Sequence, residues 1–391
     1  MIDIATVADY LSRQGRFCLI DWLLADNFLH YADYEAWRYG ELKTLDDVVR
    51  FDRQTLQALI DNTAEHCDNL GLIPERQDFF RWNGDHRVLL MASEDYGQNL
   101  ALTQCWLRPR DRPQLDLFLD NSAQIAENAL LEALTARRFD TADSRLQNLS
   151  ELNPEYTRLG GYQDLINYGR HMLANPEIIE QAVDAELQRL QQEVLPLVQE
   201  VMGPAARDYL AYAWRRLSNA LQGIPFNPEQ PWRHSSSALL EIPDYPAVIE
   251  CLNADPGLYR HAILLERMAQ SYSALHQHGN GLILWCLMME LDTGYTEQAL
   301  ECHQSHRVYA LWQDFWDIED NWSMALFPAY VLARQPGLLH CLQNFPALRL
   351  PASKAMVVLL RRRLAGEDEI SARRELQAIS PELLSVYLER L

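Results

Sequence analysis

The residues best suited to chemistry lie in two short stretches of the C-terminal half. His276 and His278 flank a glutamine, and Cys302, His303 and His306 follow further along. His303 and His306 stand three apart, so on a helix they share a face, as two zinc ligands must, with Cys302 alongside as a thiol donor. The spacing rules of zinc sites are missing: there is no His-Glu-x-x-His and no Cys-x-x-Cys, and polar residues are ordinary ahead of Gly279. A loop-and-surface explanation therefore outweighs a metal site for which His303, His306 and Cys302 would be the ligands. No cofactor is expected.

In the second stretch Asp314, Asp317, Glu319 and Asp320 interleave with Trp312, Phe315, Trp316 and Trp322. A carboxylate pair beside aromatic rings is the equipment of a glycosidase, in which an apolar wall keeps one acid protonated while the other stays ionised. Here the acids crowd together along the chain and the aromatics recur as core residues do, so an amphipathic helix ending in an acidic turn explains them better. Recognition is the functional role that remains. Tryptophans beside carboxylates suit a basic or amphipathic partner segment, which makes Trp312, Trp316, Asp317 and Asp320 candidate partner-binding residues. Trp37 and Arg38 join them on the condition that they are exposed. They sit in Asp33–Glu41, where Tyr34 and Trp37 share a helical face, Arg38 is three residues from Glu35 and Glu41, and Gly40 closes the turn.

Other chemistries lack their motifs. There is no GxxxxGK[ST] or GxGxxG phosphate loop and no GxSxG elbow, and Ser235, Ser236 and Ser237 fall in a proline-rich stretch where serines are unremarkable. Basic clusters are confined to Arg108, Arg110 and Arg112, and to Arg361–Arg363 with Arg373 and Arg374 nearby.

The elements that must position these residues belong to a chain of 391 residues, long enough for two or three domains or one array of repeats. With 48% hydrophobic residues it can bury a core, and its formal charge of -21 disfavours generic binding to phosphate backbones or anionic lipid. No apolar run reaches the length of a membrane span, and Met1–Tyr10 lacks the basic start of a signal peptide, which points to a cytoplasmic protein. The seven cysteines are scattered singly, so they are expected to be buried hydrophobes without a disulfide framework.

Residues 1–120 predict a small α+β domain. Helical spacing runs through Phe17, Ile20, Leu23 and Leu24, through Leu45, Val48 and Val49, and through Gln54–Leu70, with Gly71 as a left-handed cap. Asn83-Gly84 between aromatic and branched runs predicts a β-hairpin, and Leu115–Asp120 alternates like a strand. Helices followed by a hairpin resemble a winged helix. Helices dominate from Ser122 onward, in 121–222 and again in 247–391. Five prolines and three serines mark 223–246 as a linker or crossing loop.

Two segments resemble the tetratricopeptide repeat. Ala129, Leu130, Ala133, Phe139, Ala142, Leu146, Leu149 and Pro154 follow its pattern, as do Leu265, Met268, Ala269, Tyr272, Gly281, Trp285 and Met288. In the second copy Thr293-Gly294 replaces the terminal proline. The resemblance implies stacked helical hairpins, so the expected fold is mainly α: an α-solenoid, or helical-hairpin repeat array, with a small N-terminal α+β segment. The expected function is that of a non-enzymatic scaffold or adaptor gripping a protein or peptide partner, basic in character. The alternatives are a winged-helix-like nucleic-acid-linked regulator with a helical sensor, and a metal-dependent enzyme.

Overall fold

Aspartates and glycines punctuate the first hundred residues of the computed structural model, which describes residues 2–82, 88–109, 120–304, 307–318 and 322–389. Asp3 accepts the Thr6 N–H at 2.7 Å and starts α1 (Ile4–Gln14), and Gly15, at φ +72°, ends it. Strand β1 (Arg16–Cys18) leads into α2 (Leu19–Ala25) and α3 (Tyr31–Tyr39), the latter closed by left-handed Gly40 as its sequence predicts. Asp52 caps α4 (Arg53–Asn69), followed by Gly71 at φ +67°. Then come β2 (Ile73–Arg76), α5 (Tyr96–Thr103) and β3 (Gln104–Leu107). The sheet is antiparallel in the order β1-β3-β2, with Cys18 opposite Cys105 and Pro74 opposite Trp106. Pro74 is tolerated because β2 is an edge strand.

Four expectations for this segment change. Phe17 lies in β1, ahead of the helix that carries Ile20, Leu23 and Leu24. The spacing of Leu45, Val48 and Val49 does not make a helix: the Leu45 N–H goes to the Ala92 carbonyl at 2.8 Å and the Arg50 N–H to the Phe28 carbonyl at 2.9 Å, so turns bonded to distant backbone replace it. Two cysteines are bridged, Cys18 to Cys105, because the β1–β3 register sets their Cα atoms 4.4 Å apart. The predicted hairpin appears as its flanks, with Phe80 bridged to Leu89 and the Arg81 N–H donating to the Val88 carbonyl at 2.9 Å. Asn83-Gly84 lies outside the described residues, as does the predicted strand up to its last residue, Asp120, which opens a helix.

That helix, α6 (Asp120–Thr135), and α7 (Phe139–Leu152) form the hairpin expected from the first repeat-like segment, and α8 (Leu159–Ala174) packs on α7. A Cβ on Gly169 would stand 2.1 Å from the Phe139 ring, so only glycine allows this approach of α8 to α7. After α9 (Val183–Arg189) a π-helical turn, Leu190–Val194, carries the chain into α10 (Leu195–Met202). Pro196 has no N–H to continue a regular ladder, which accounts for the widened turn. Helix α11 (Ala206–Ala220) packs on α6, α9 and α10.

The chain divides into two units, one of residues 1–222 with 241–244 and the other of 223–240 with 245–391. The proline-rich stretch, expected as a linker or crossing loop, falls in both units, 223–240 in the second and 241–244 in the first. It contains α12 (Ser235–Leu240), with His234, Ser235 and Ser236 buried. The second unit continues with α13 (Tyr245–Ala254), α14 (Ala262–Ala274), α15 (His278–Leu291), α16 (Thr293–Cys302), α17 (Arg307–Trp316), α18 (Phe327–Arg334), α19 (Pro351–Ala365), α20 (Ile370–Ile379) and α21 (Pro381–Leu388). Helices α14 and α15 are the second expected hairpin. Both hairpins turn through three residues whose middle one is left-handed without being glycine: Arg137 at φ 57° and His276 at φ 58°. Gly281 brings α15 close to α14, since a Cβ there would lie 3.0 Å from Ser273 Oγ.

Successive helices pack pairwise, but α15 also packs on α18 and α18 on α21. In a pure solenoid each unit meets only its neighbours. The reason lies in α15 itself, which is apolar around most of its circumference and buries Leu282, Ile283, Leu284, Trp285, Cys286, Met288 and Met289. A helix apolar on all sides must be covered on all sides.

Candidate functional site

Helix α17 sorts its residues by spacing. Val308, Leu311, Trp312 and Phe315 face the core, whereas Asp314, Trp316 and Asp317 remain outside. Phe315 meets Trp322, Phe327 and Tyr330 edge-on at ring-centroid distances of 5.5, 5.4 and 5.3 Å, which fixes an aromatic wall between α17 and α18. Beside that wall runs a groove of about 480 Å³ lined by Asp314, Asp317, Trp322, Tyr330, Arg334 and, from α21 and its C-cap, Glu382 and Glu389. The Arg334 guanidinium lies 5.8 Å from the Tyr330 ring centre.

The α21 side is built by the cap that the sequence announces. Ser380 accepts the Leu383 N–H at 3.1 Å and its hydroxyl donates to Glu382 Oε2 at 2.8 Å, with Pro381 at the first helical position. The Glu382 backbone N–H and this hydroxyl hold its carboxyl below the usual range, so the groove keeps that charge in mild acid.

The candidate residues separate accordingly. Asp317 lines the groove; Trp316 is 54% exposed and stands edge-on to Trp312, which is itself buried. Asp320 lies outside the described residues. Trp37 is fully buried and donates its Nε1–H to the Met91 carbonyl at 2.9 Å, so it serves packing. Arg38 is buried too, without the predicted pairing to Glu35 or Glu41. It lies 4.5 Å from the Trp82 ring centre and donates to Tyr34 Oη at 2.7 Å, while Glu35 pairs with Arg137 and Arg215. The exposure on which their binding role depended is absent at both positions.

His303 is engaged by protein: its Nε2 lies 2.8 Å from both Glu266 Oε1 and Gln270 Nε2. Cys302 is exposed beside it, and His306 is outside the described residues. Among the described residues no group of three or more His, Cys, Asp or Glu side chains is placed to hold a metal ion.

A constellation missed in the sequence sits in the proline-rich stretch. Arg267 Nη1 donates to Ser236 Oγ at 2.9 Å, Ser236 Oγ is 2.7 Å from His234 Nδ1, and His234 Nε2 lies 3.3 Å from Asp255 Oδ2. The order serine, histidine, aspartate is that of a hydrolase triad. Ser236 is, however, wholly buried and its oxygen already receives the arginine, so no acyl group can reach it. The arrangement fastens 223–240 to α13 and α14, with Arg267 Nη2 also donating to the Pro231 carbonyl.

Burial, with Arg267 close by, lowers the His234 pKa, so the folded protein holds this ring neutral. A histidine depressed on folding leaves stability intact above its unfolded value near 6.5 and removes it as pH falls below that value. We expect acidification from about pH 6.5 to about 5.5 to lower the stability of the second unit through this residue. Urea melts across that interval check it, and His234→Gln should flatten the dependence.

No protein-family model matches the chain, and neither a curated protein nor a solved structure matches it. No helix among the described residues is long and apolar enough to cross a membrane.

Proposed function

We propose that this chain is a non-catalytic adaptor of helical hairpins that holds a basic segment of a partner protein in the groove between α17, α18 and α21. One observation carries this reading: among the described residues four carboxylates, those of Asp314, Asp317, Glu382 and Glu389, line the groove against one guanidinium, that of Arg334, beside the aromatic wall of Trp322 and Tyr330. Carboxylates pair with arginine or lysine, and aromatic faces accept the same cations and their methylene stems. The net charge of -21 adds a long-range field that speeds capture of a basic partner.

A winged-helix role in nucleic-acid binding is less well supported. Helix α4, which leads into β2, presents Asp61, Glu65 and Asp68 to solvent, and phosphates would be repelled there. Titration of a labelled, arginine-rich amphipathic peptide by fluorescence anisotropy tests the adaptor reading. Binding should weaken about tenfold between low and physiological salt, and a charge-reversed peptide of the same pattern should not bind.

A further inference from the structure

The first unit has a cavity of about 570 Å³, open on one side to solvent, between the sheet segment and helices α6 and α11. Its lining includes Arg16, Asp21, Tyr34, Arg38, Arg207 and Asp208. Ion pairs in this chain range from tight, as Arg215 on Glu35 at 2.7 Å, to loose, as Arg158 with Glu127 at 3.6 Å. At the cavity Arg76 closes on Asp78 at 2.9 Å, whereas two other pairs stand ajar. Arg16 Nη2 is 3.7 Å from Asp21 Oδ2 and Arg207 Nε is 3.7 Å from Asp208 Oδ1, with the Arg16, Asp21 and Arg207 side chains 31%, 25% and 28% exposed.

The hydrogen bonding of these groups is unequal. Asp208 receives the hydroxyls of Tyr31 and Tyr34 at 3.1 and 3.3 Å, and Arg38 is satisfied by Tyr34 and the Phe80 carbonyl. By contrast Arg16 Nε, Arg207 Nε and Asp21 Oδ2 are buried and have no hydrogen-bond partner among the described residues. Buried polar atoms left this way are costly, and each calls for an explanation. Burial also raises the Asp21 pKa, as expected of a carboxylate without donors.

We propose that this cavity binds a small zwitterion of the amino-acid type, its carboxylate between the Arg16 and Arg207 guanidiniums and its ammonium on Asp21. An anion alone would leave Asp21 without a donor, and a cation alone would leave both arginines without an acceptor. One molecule carrying both charges completes all three groups. Phe79, Leu107 and Leu131 line the same cavity and give an apolar side chain a place to lie, and the volume suits a small ligand. This site is independent of the groove in the second unit and does not rest on the adaptor reading.

Calorimetric titration of the full chain with L-phenylalanine and L-leucine, and with the one-charge analogues 3-phenylpropionate and phenethylamine, tests it. At least one zwitterion should bind about tenfold more tightly than either analogue. Asp21→Asn should weaken the zwitterion about tenfold and leave 3-phenylpropionate unchanged, whereas Arg16→Gln should weaken the zwitterion and 3-phenylpropionate together. Each variant is checked by thermal melting, and either one decides if the other does not fold. Absence of binding by both zwitterions, equal binding of zwitterion and analogues, or a zwitterion affinity untouched by both substitutions would overturn the proposal.

Discussion

Glu35→Gln is expected to lower the stability of the first unit by about 3–5 kcal/mol, the cost of removing one partner from a buried ion pair. Glu35 is 8% exposed and receives Arg137 at 3.2 Å on one oxygen and Arg215 at 2.7 Å on the other. The two arginines come from the α6–α7 turn and from α11, so one carboxylate on α3 ties both to the N-terminal helices. Burial alone would disfavour the Arg215 charge, yet Glu35 beside it holds its pKa above the ordinary value. Glutamine keeps the shape but turns an N–H toward one guanidinium and leaves both cations uncompensated. Arg137 adds leverage, because its left-handed backbone is held by this ion pair, by the Tyr39 hydroxyl and by the Tyr212 ring face. Urea unfolding of the variant against the parent measures the loss. A difference below about 1 kcal/mol would place Glu35 among ordinary surface pairs.

Breaking the Cys18–Cys105 bridge should cost about 4–5 kcal/mol by the loop-entropy relation, since the bridge closes a loop with a sequence separation of 87. The bond joins β1 to β3, the central strand of the sheet, and Cys105 lines the charged cavity. Reductant should therefore shift the unfolding midpoint of the parent, whereas Cys18→Ala combined with Cys105→Ala should be insensitive to it. Alkylation under denaturing, non-reducing conditions provides an independent count. Five thiols, those of Cys67, Cys251, Cys286, Cys302 and Cys341, are expected to react. Reaction of all seven cysteines would contradict the bridge.

What the sequence makes legible is local, and what it hides depends on register or on chain distance. Gly40, Gly71 and the Ser380-Pro381 cap are readable because a positive φ or an N-cap bond involves residues within one turn. The two helical hairpins are readable for the same reason, through small residues at the interhelix contact. The disulfide is not, because the pairing of Cys18 with Cys105 depends on a three-strand register formed by pieces of three and four residues. The cavity is hidden more deeply still: Arg16, Asp21, Arg38, Arg207 and Asp208 come from four separate elements or their edges and form no motif. Ser236 and His234 resemble loop residues by composition, and only Arg267 and Asp255, from later elements, give them buried partners. At α17 the spacing places the acids and tryptophans on a helix, but the sides of that helix divide them. Trp312 joins the core while Asp314, which the partner-binding set omits, lines the groove with Asp317.

The most direct test of the adaptor reading compares the anisotropy titration of the arginine-rich peptide on the parent chain and on a variant combining Asp314→Asn, Asp317→Asn and Glu382→Gln. All three side chains line the groove, and none of the three residues is buried in the core, so the fold should survive. Losing three rim charges together should weaken the peptide at least tenfold. Equal affinity for parent and variant, at low salt and with both folded, would contradict the assignment of this groove as the partner site.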